Sequence, residues 1–528
     1  MTAIKVNHLQ KIIVRVFGDQ NLTKKASLNA LTSSLEYAAK LLVAFIIQPW
    51  LVNGLGEYFY GTWQILLRFI GYIAPASGRP TTALRWALAN QQSSSDIEKK
   101  RQNVGSALAV WLIFLPILLF LGGLLVWFVP IWIKTPREYV TIVRAAAGIL
   151  VANLILVNLA AIPQSILQGE NLGYKRMGAS TLLVFLGGGF TWLAVYLKTG
   201  IAGVALAALL LTLVNGVFFL RVAARYVSWF GASRPSLSDV RKFFGISGWF
   251  LLWNLIMNWM LESDVVILGV FNSVESVTSY SLTKYAPELL ISLIAIMVFG
   301  VAPGLGRIIG SQDQQRAAMV RGEMMALTWL VTTALGAAVI LWNRAFMSLW
   351  VGGGHFPGEL ENLLIVLVNV QFVFIRNDSN FIDLTLNLGR KVLLGAVSLA
   401  ASLGFAAVLV GYFRAGITGL CLGVLAGRLI LSIGYPVIVG RFLRLPLALQ
   451  LGAALKPALV TGVLFAAALI LGERFSGLPF SGLRGWIFFA LLGSATLLVS
   501  SLTAFFLGLS KKQRSKIIRR IKAVIAPG

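Results

Sequence analysis

Five cations sit inside otherwise apolar stretches of this chain: Lys40, Arg68, Lys284, Arg376 and Arg428. The acids Glu36, Glu262, Asp264, Glu288, Asp378 and Asp383 lie in the same kind of surroundings. A charged side chain at the centre of a bilayer costs about 2.5–3.5 kcal/mol on translocon scales, so a chain keeps one only where a polar cavity or a partner receives it. Glu36–Lys40 and Lys284–Glu288 are spaced i,i+4, which puts each pair on one helix face. Arg68, Arg376 and Arg428 fall near the middle of their apolar runs, too deep to snorkel to the surface. A cavity lined by cations suits an anionic ligand, since arginine grips phosphate bidentately and lysine meets it as a point charge. The carboxylates would balance the empty cavity, and Asp264, Glu288 and Asp378 are candidates to take up H⁺ or Na⁺ as a coupling ion. The plainer alternatives are the inner interface for Glu36, rim positions toward the outside for Glu262 and Asp264, and structural pairing that only fixes helix packing for Lys284–Glu288 and Arg376–Asp378.

The elements that must hold these residues are membrane helices. The chain is 58% hydrophobic and 12% charged, with a mean hydropathy of +0.82, where soluble domains carry roughly 25% charged residues. Fourteen apolar runs reach the length that spans a bilayer core, at about 30–52, 58–78, 105–128, 143–167, 177–197, 201–220, 244–271, 277–303, 322–342, 362–386, 392–412, 416–438, 451–472 and 484–508. With the N-terminus inside, inner segments collect 32 Lys/Arg and outer segments 8. That bias places both termini in the cytoplasm of a multi-pass protein of the inner (cytoplasmic) membrane and accounts for the net charge of +26 without nucleic acid. Residues 1–27 and the tail from Ser510 are basic, with apolar residues at amphipathic spacing that suits the membrane surface.

The order of landmarks repeats about 216 residues apart. Asn171-Leu172-Gly173 with Lys175 returns as Asn387-Leu388-Gly389 with Lys391, and Gly200-Ile201-Ala202-Gly203 returns as Gly416-Ile417-Thr418-Gly419. Tyr60-Gly61 pairs with Tyr280-Ser281, and Leu55-Gly56 with Leu268-Gly269. The expected fold is an all-α polytopic protein of two six-helix lobes related by this repeat, plus two C-terminal helices. The segments read as 1–27, a basic cytoplasmic arm; 28–222, the first lobe; 223–243, a basic linker; 244–440, the second lobe; 441–509, helices 13 and 14; and 510–528, a basic tail. Such a repeat places a substrate site between the halves near mid-bilayer. The stretch Glu262–Glu288 is then the second copy of the corner at 50–68. The first copy supplies Arg68 alone, the second acids as well as Lys284, so the first half would hold the anion and the second would also couple the ion.

Enzyme chemistry finds no constellation here. One cysteine, Cys421, and two distant histidines, His8 and His355, build no metal site. Nucleophile elbow and phosphate-loop motifs are absent. No loop is long enough for a soluble catalytic domain.

Leu55-Gly56-Glu57 with Tyr60-Gly61-Thr62-Trp63 resembles the helix 1–2 turn of Wzx-type polysaccharide flippases, of the multidrug/oligosaccharidyl-lipid/polysaccharide exporter superfamily. Asp264-Val265-Val266-Ile267-Leu268-Gly269 with Tyr280-Ser281-Leu282 resembles their helix 7–8 segment, and the polar turn Gly169–Arg176 fits as well. The chain departs from the family where an acidic turn is expected after helix 2 and Ala76-Ser77-Gly78-Arg79-Pro80 stands instead. The resemblance implies a pair of six-helix lobes that flips a polyprenyl-diphosphate-linked oligosaccharide from the inner to the outer leaflet for cell-surface polysaccharide such as lipopolysaccharide. A polysaccharide polymerase and glycosyltransferases would be partners, with membrane lipids around. Alternatives are a cation-coupled multidrug antiporter of the same superfamily, a lipid II flippase, and a membrane enzyme or scaffold of polysaccharide synthesis.

Overall fold

A computed structural model describes residues 22–518, apart from 79, 92–94, 171, 173–178, 311–312, 385–387, 476–480 and 512. The surface-helix reading of the N-terminal arm and the Asn171/Asn387 landmarks lie outside the described residues. The chain divides into two compact units after Leu251.

The first unit holds α1 (Leu22–Ile73), α2 (Pro80–Asn90), α3 (Ile97–Trp132), α4 (Val140–Ala160), α5 (Ile162–Gly169), α6 (Ala179–Tyr196) and α7 (Gly200–Tyr226). α8 (Leu237–Phe271) runs across the division. The second unit continues with α9 (Val274–Gly310), α10 (Gln314–Trp350), α11 (Glu359–Leu384), α12 (Leu388–Ala407), α13 (Gly416–Leu443), α14 (Leu447–Phe475) and α15 (Gly482–Thr503). α1 is two helices joined at Gly56, whose φ of 77° and ψ of 165° only glycine adopts readily. Ten helical stretches among the described residues are long and apolar enough to cross a membrane. Dividing α1 at Gly56 and adding α8, α9 and α11 gives the fourteen expected from the sequence.

The repeat is also written in the backbone. Asp96 caps α3 by accepting from the Lys99 N–H at 2.9 Å, and Asp313 caps α10 by accepting from the Arg316 N–H at 3.0 Å. Each cap satisfies an orphan donor of the first helical turn. Lys198 and Arg414 take left-handed φ values of 54° and 52°, and each is followed two residues later by a left-handed glycine, Gly200 or Gly416, that opens a helix. Two corners so alike, 216 residues apart, are copies of one turn.

Inside the first unit, Leu84, Leu88, Ala107, Ile166, Leu167 and Ala223 pack a dry core between α2, α3, α5 and α7. A polar clamp closes it. Lys100 lies 2.9 Å from Glu170, the Trp229 indole N–H donates to the same carboxylate at 3.1 Å, and Arg101 donates to the Trp229 carbonyl at 3.0 Å. In the second unit, α12 and α13 approach backbone to backbone. A Cβ at Gly427 would stand 2.3 Å from the Ser402 nitrogen, and one at Gly423 2.5 Å from the Ala406 nitrogen. Small residues at four-residue spacing permit this contact, and Ser398 fastens it by donating to the Gly427 carbonyl at 3.0 Å. α14 and α15, outside the repeat, dock on α10 through Thr333–Thr461 at 2.6 Å, the Trp342 N–H on Thr496 at 2.9 Å, and the Ser500 hydroxyl on the Ala334 carbonyl at 3.2 Å.

Two stability outcomes follow. Glu170→Ala strands the buried Lys100 ammonium, and removing one partner of a buried pair costs about 3–5 kcal/mol; thermal unfolding in detergent will fall by several degrees, and an unchanged midpoint would deny the clamp its role. Gly427→Leu forces α12 from α13 and will prevent recovery of folded protein from the membrane, whereas Gly462→Leu, with open space around its Cβ position, will be tolerated in the same preparation.

Candidate functional site

Asp264 lies two turns before the end of α8, where it is 6% exposed. One carboxylate oxygen accepts from the Val265 N–H at 2.8 Å. The other accepts from the Tyr280 hydroxyl at 2.7 Å and from the Lys284 ammonium at 2.5 Å. Tyr280, Lys284 and Glu288 form an i, i+4, i+8 stripe on α9, and Glu288 meets Lys284 from the other side at 3.2 Å. Lys284 is ten residues into α9, about 15 Å along a helix rising 1.5 Å per residue, and is 6% exposed. One buried ammonium therefore bridges two acids, Asp264 buried and Glu288 with a side chain 42% exposed.

Arg428 of α13 approaches the same group. Its guanidinium donates to the Met260 carbonyl at 2.8 Å and the Val368 carbonyl at 3.5 Å, and it rests 5.2 Å from the Phe372 ring centre. Its field reaches Asp264 and Tyr280, and the buried Cys421 lies among these charges. The close α12–α13 contact at Gly427 fixes α13 so that the next residue, Arg428, aims at α8 and α11. Arg428 was expected to line a polar cavity; backbone carbonyls and an aromatic face receive it instead, because α13 is buried on that side.

A second polar group occupies the end of this unit that carries the C-terminal segment. Arg321 of α10 grips Asp378 of α11 bidentately, at 2.8 and 3.0 Å, and both are buried. The Asn377 amide donates to Thr328 at 2.6 Å. The Arg376–Asp378 pair considered from sequence is thereby corrected: on a helix, residues two apart point to different faces, and Asp378 turns to Arg321. Arg376 is half-buried, and among the described residues no carboxylate pairs with it. Its like charge reaches the fully buried Lys391, which is paired with Asp383.

The first unit carries Lys40 and Arg68. Lys40 pairs with Glu36 at 2.8 Å, as its spacing requires, beside a cavity of 260 Å³ that Gln164, Ser180, Thr212 and Asn215 also line. Arg68 is half-buried on the second part of α1. One turn and two turns before it stand Gln64 and Tyr60. Tyr60 is fully buried and takes hydrogen bonds from the amides of Gln48 and of Gln64, the latter at 2.8 Å. Tyr60, Gln64 and Arg68 repeat the stripe Tyr280, Lys284 and Glu288 at a constant offset of 220, and Gln48 reaches Tyr60 from the preceding helix as Asp264 reaches Tyr280. Sequence reasoning missed the two glutamines, Arg321 and Lys391; the Tyr60–Tyr280 landmark, stepped forward by one turn, would have found Gln64.

Comparison with known proteins sets these groups in context. No curated protein matches the chain. Among solved structures, an inward-facing multidrug resistance MATE family transporter of the MOP superfamily is 17% identical, with a TM-score of 0.64, over 77% of this chain and 94% of that one. A MATE structure in a bent conformation is 17% identical, with a TM-score of 0.56, over 80% and 95%. A MOP superfamily transporter from Pyrococcus furiosus, described as having a binding pocket of reverse polarity, is 17% identical, with a TM-score of 0.54, over 80% and 96%. At such identity the likeness is one of fold: an all-α, multi-pass membrane architecture. In sequence, residues 28–309 match the family of polysaccharide biosynthesis proteins, which is more than half of the chain, and the chain belongs to that family.

Proposed function

We propose that this protein moves a polyprenyl-diphosphate-linked oligosaccharide from the inner to the outer leaflet by alternating access, supplying cell-surface polysaccharide synthesis. The observation that carries the reading is Lys284, a buried ammonium shared by Asp264 and Glu288. Family membership supplies the process, and the charged groups supply a way to handle an anion. In a low-dielectric interior an ammonium cannot stand alone, so a diphosphate can take Lys284 only if an acid releases it. Protonation of Glu288 or Asp264, or capture of Na⁺ by them, removes the competing negative charge. Binding of the anionic headgroup and uptake of a cation are then two sides of one exchange. Arg376, half-buried and without a carboxylate partner among the described residues, is the second headgroup contact. Lys40 and Arg68 complete the substrate set, Arg428 being taken up by backbone carbonyls, and Asp378 is the least available coupling acid because Arg321 holds both its oxygens.

In this reading both termini are cytoplasmic, the membrane is the inner one, and the chain catalyses no bond-making step. Glycosyltransferases deliver the lipid-linked glycan and a polymerase receives it. Organic cations, the cargo of a multidrug antiporter, would meet repulsion from the same lysine and arginines.

Export of surface glycan in cells lacking the native protein is the test. Lys284→Ala and Arg376→Ala will each lower export at least tenfold, as expected where a charge-assisted phosphate contact worth about 1.5–3 kcal/mol is lost, with membrane levels held equal by immunoblot. Glu288→Gln, which mimics the protonated acid, will retain lipid-linked glycan binding in detergent while losing dependence of transport on the ion gradient. Normal export in both cation variants would refute the headgroup assignment, and a gradient dependence unaltered in Glu288→Gln would refute the exchange.

A further inference from the structure

Away from the Lys284 group, the second unit has a cavity of about 390 Å³ that the transport reading does not use. It lies between α10, α11, α13 and α14 at the end where the C-terminal segment returns, and Leu509 and Gln513 of that segment close one wall. Its lining is mainly apolar, with Trp329, Phe374 and Leu431 inside. Leu449 and Leu451, on the rim, are 64% and 61% exposed, so the cavity opens toward the lipid side of α14.

Two polar features distinguish it from a plain crevice. Arg321 and Asp378 form part of the wall. Asp378 takes two of the five N–H groups of Arg321, which leaves three donors for another acceptor at that depth. Arg321 is seven residues from the start of α10, about 10 Å from the helix end. Exposed cations without a matching excess of acids stand close in sequence to the lining: Arg441, Arg444, Lys456 and Lys511. The turn that carries Arg444 is fixed. Arg444 has a left-handed φ of 55°, and the Gln450 side chain locks the turn by donating to the carbonyls of Pro436 at 3.1 Å and Leu445 at 3.0 Å.

An apolar chamber with exposed leucines in its lining, a donor-rich guanidinium in its wall and a basic collar near it in sequence describe one ligand chemistry. We infer that the cavity binds an anionic phospholipid of the surrounding leaflet, with an acyl chain between Trp329 and Leu449 and the phosphate between Arg321 and the collar of Arg444 and Lys511. The bound lipid would join the C-terminal segment to α10, where Ile517 already packs beside Ala326 and Lys516 pairs with Glu323 at 3.3 Å.

Trp329 makes the site readable in the intact protein. The full chain is reconstituted in nanodiscs with brominated phosphatidylglycerol or brominated phosphatidylcholine, and tryptophan quenching is compared with that of Trp329→Phe. The share of quenching assigned to Trp329 will be several-fold larger with the anionic lipid at low mole fraction. Each basic residue near the surface is worth about fivefold in anionic-lipid affinity, so Arg444→Gln with Lys511→Gln will shift the half-quenching mole fraction upward by about tenfold or more. Equal quenching of Trp329 by both lipids would make the cavity a non-selective crevice and overturn the inference. So would loss of the quenching on adding a short-chain polyprenyl diphosphate, which would give the cavity to the transported lipid. Headgroup binding by the Lys284 group does not enter this readout, so the two assignments stand or fall separately.

Discussion

An ammonium at membrane depth is tolerated only beside negative charge, and Lys284 is held there by two acids at once. Neither contact is incidental to the local fold. Asp264 is placed by the Tyr280 hydroxyl and its own backbone neighbour, Glu288 by the i+4 step of α9, and the approach of Arg428 depends on the glycine contact between α12 and α13. Taking any one charge away leaves the others unbalanced in a medium that screens poorly. The group therefore has few stable charge states, and a change in one member must be answered by a proton, a cation or an anionic ligand. That constraint is the physical basis of the coupling proposed for this group.

The remaining charged groups obey the same rule with less freedom. Asp378 and Arg321 are matched bidentately and have little reason to exchange. Lys100, Glu170 and Trp229 tie α3 to the segments after α5 and α7, a structural clamp rather than a ligand site. Glu36 and Lys40 remain an open pair beside a cavity. Geometry thus ranks charges that the sequence could only enumerate.

Much of the fold was legible before any coordinates. Apolar run lengths located the fourteen helices, because a bilayer imposes one length on every span, and repeated glycines located equivalent corners, because left-handed turns restrict which residues can fill them. The site was legible only in part. A scan for buried charge found Lys284, Asp264, Glu288 and Arg428, which the structure brings together. It passed over Gln48 and Gln64, which carry no charge, and counted Arg321 and Lys391 among loop cations. Both lie near the ends of apolar runs, yet α10 begins at Gln314, well before its apolar core, so Arg321 still faces the interior. Pairing was not legible either: Asp378 lies two residues from Arg376 in sequence and bonds to a residue 57 positions away.

The two copies of the repeat surround the same tyrosine with different chemistry. In the first unit a buried tyrosine is pinned by amides, Gln48 from the preceding helix and Gln64 from the next turn. In the second, the equivalent tyrosine is pinned by Asp264 and accompanied by Lys284. Burying an ion pair brings no general gain in stability over neutral partners, since desolvation offsets most of the attraction. The second copy therefore differs from the first in chemistry more than in packing: amides meet the tyrosine of one and a carboxylate that of the other, with Arg68 in the first copy standing where Glu288 stands in the second.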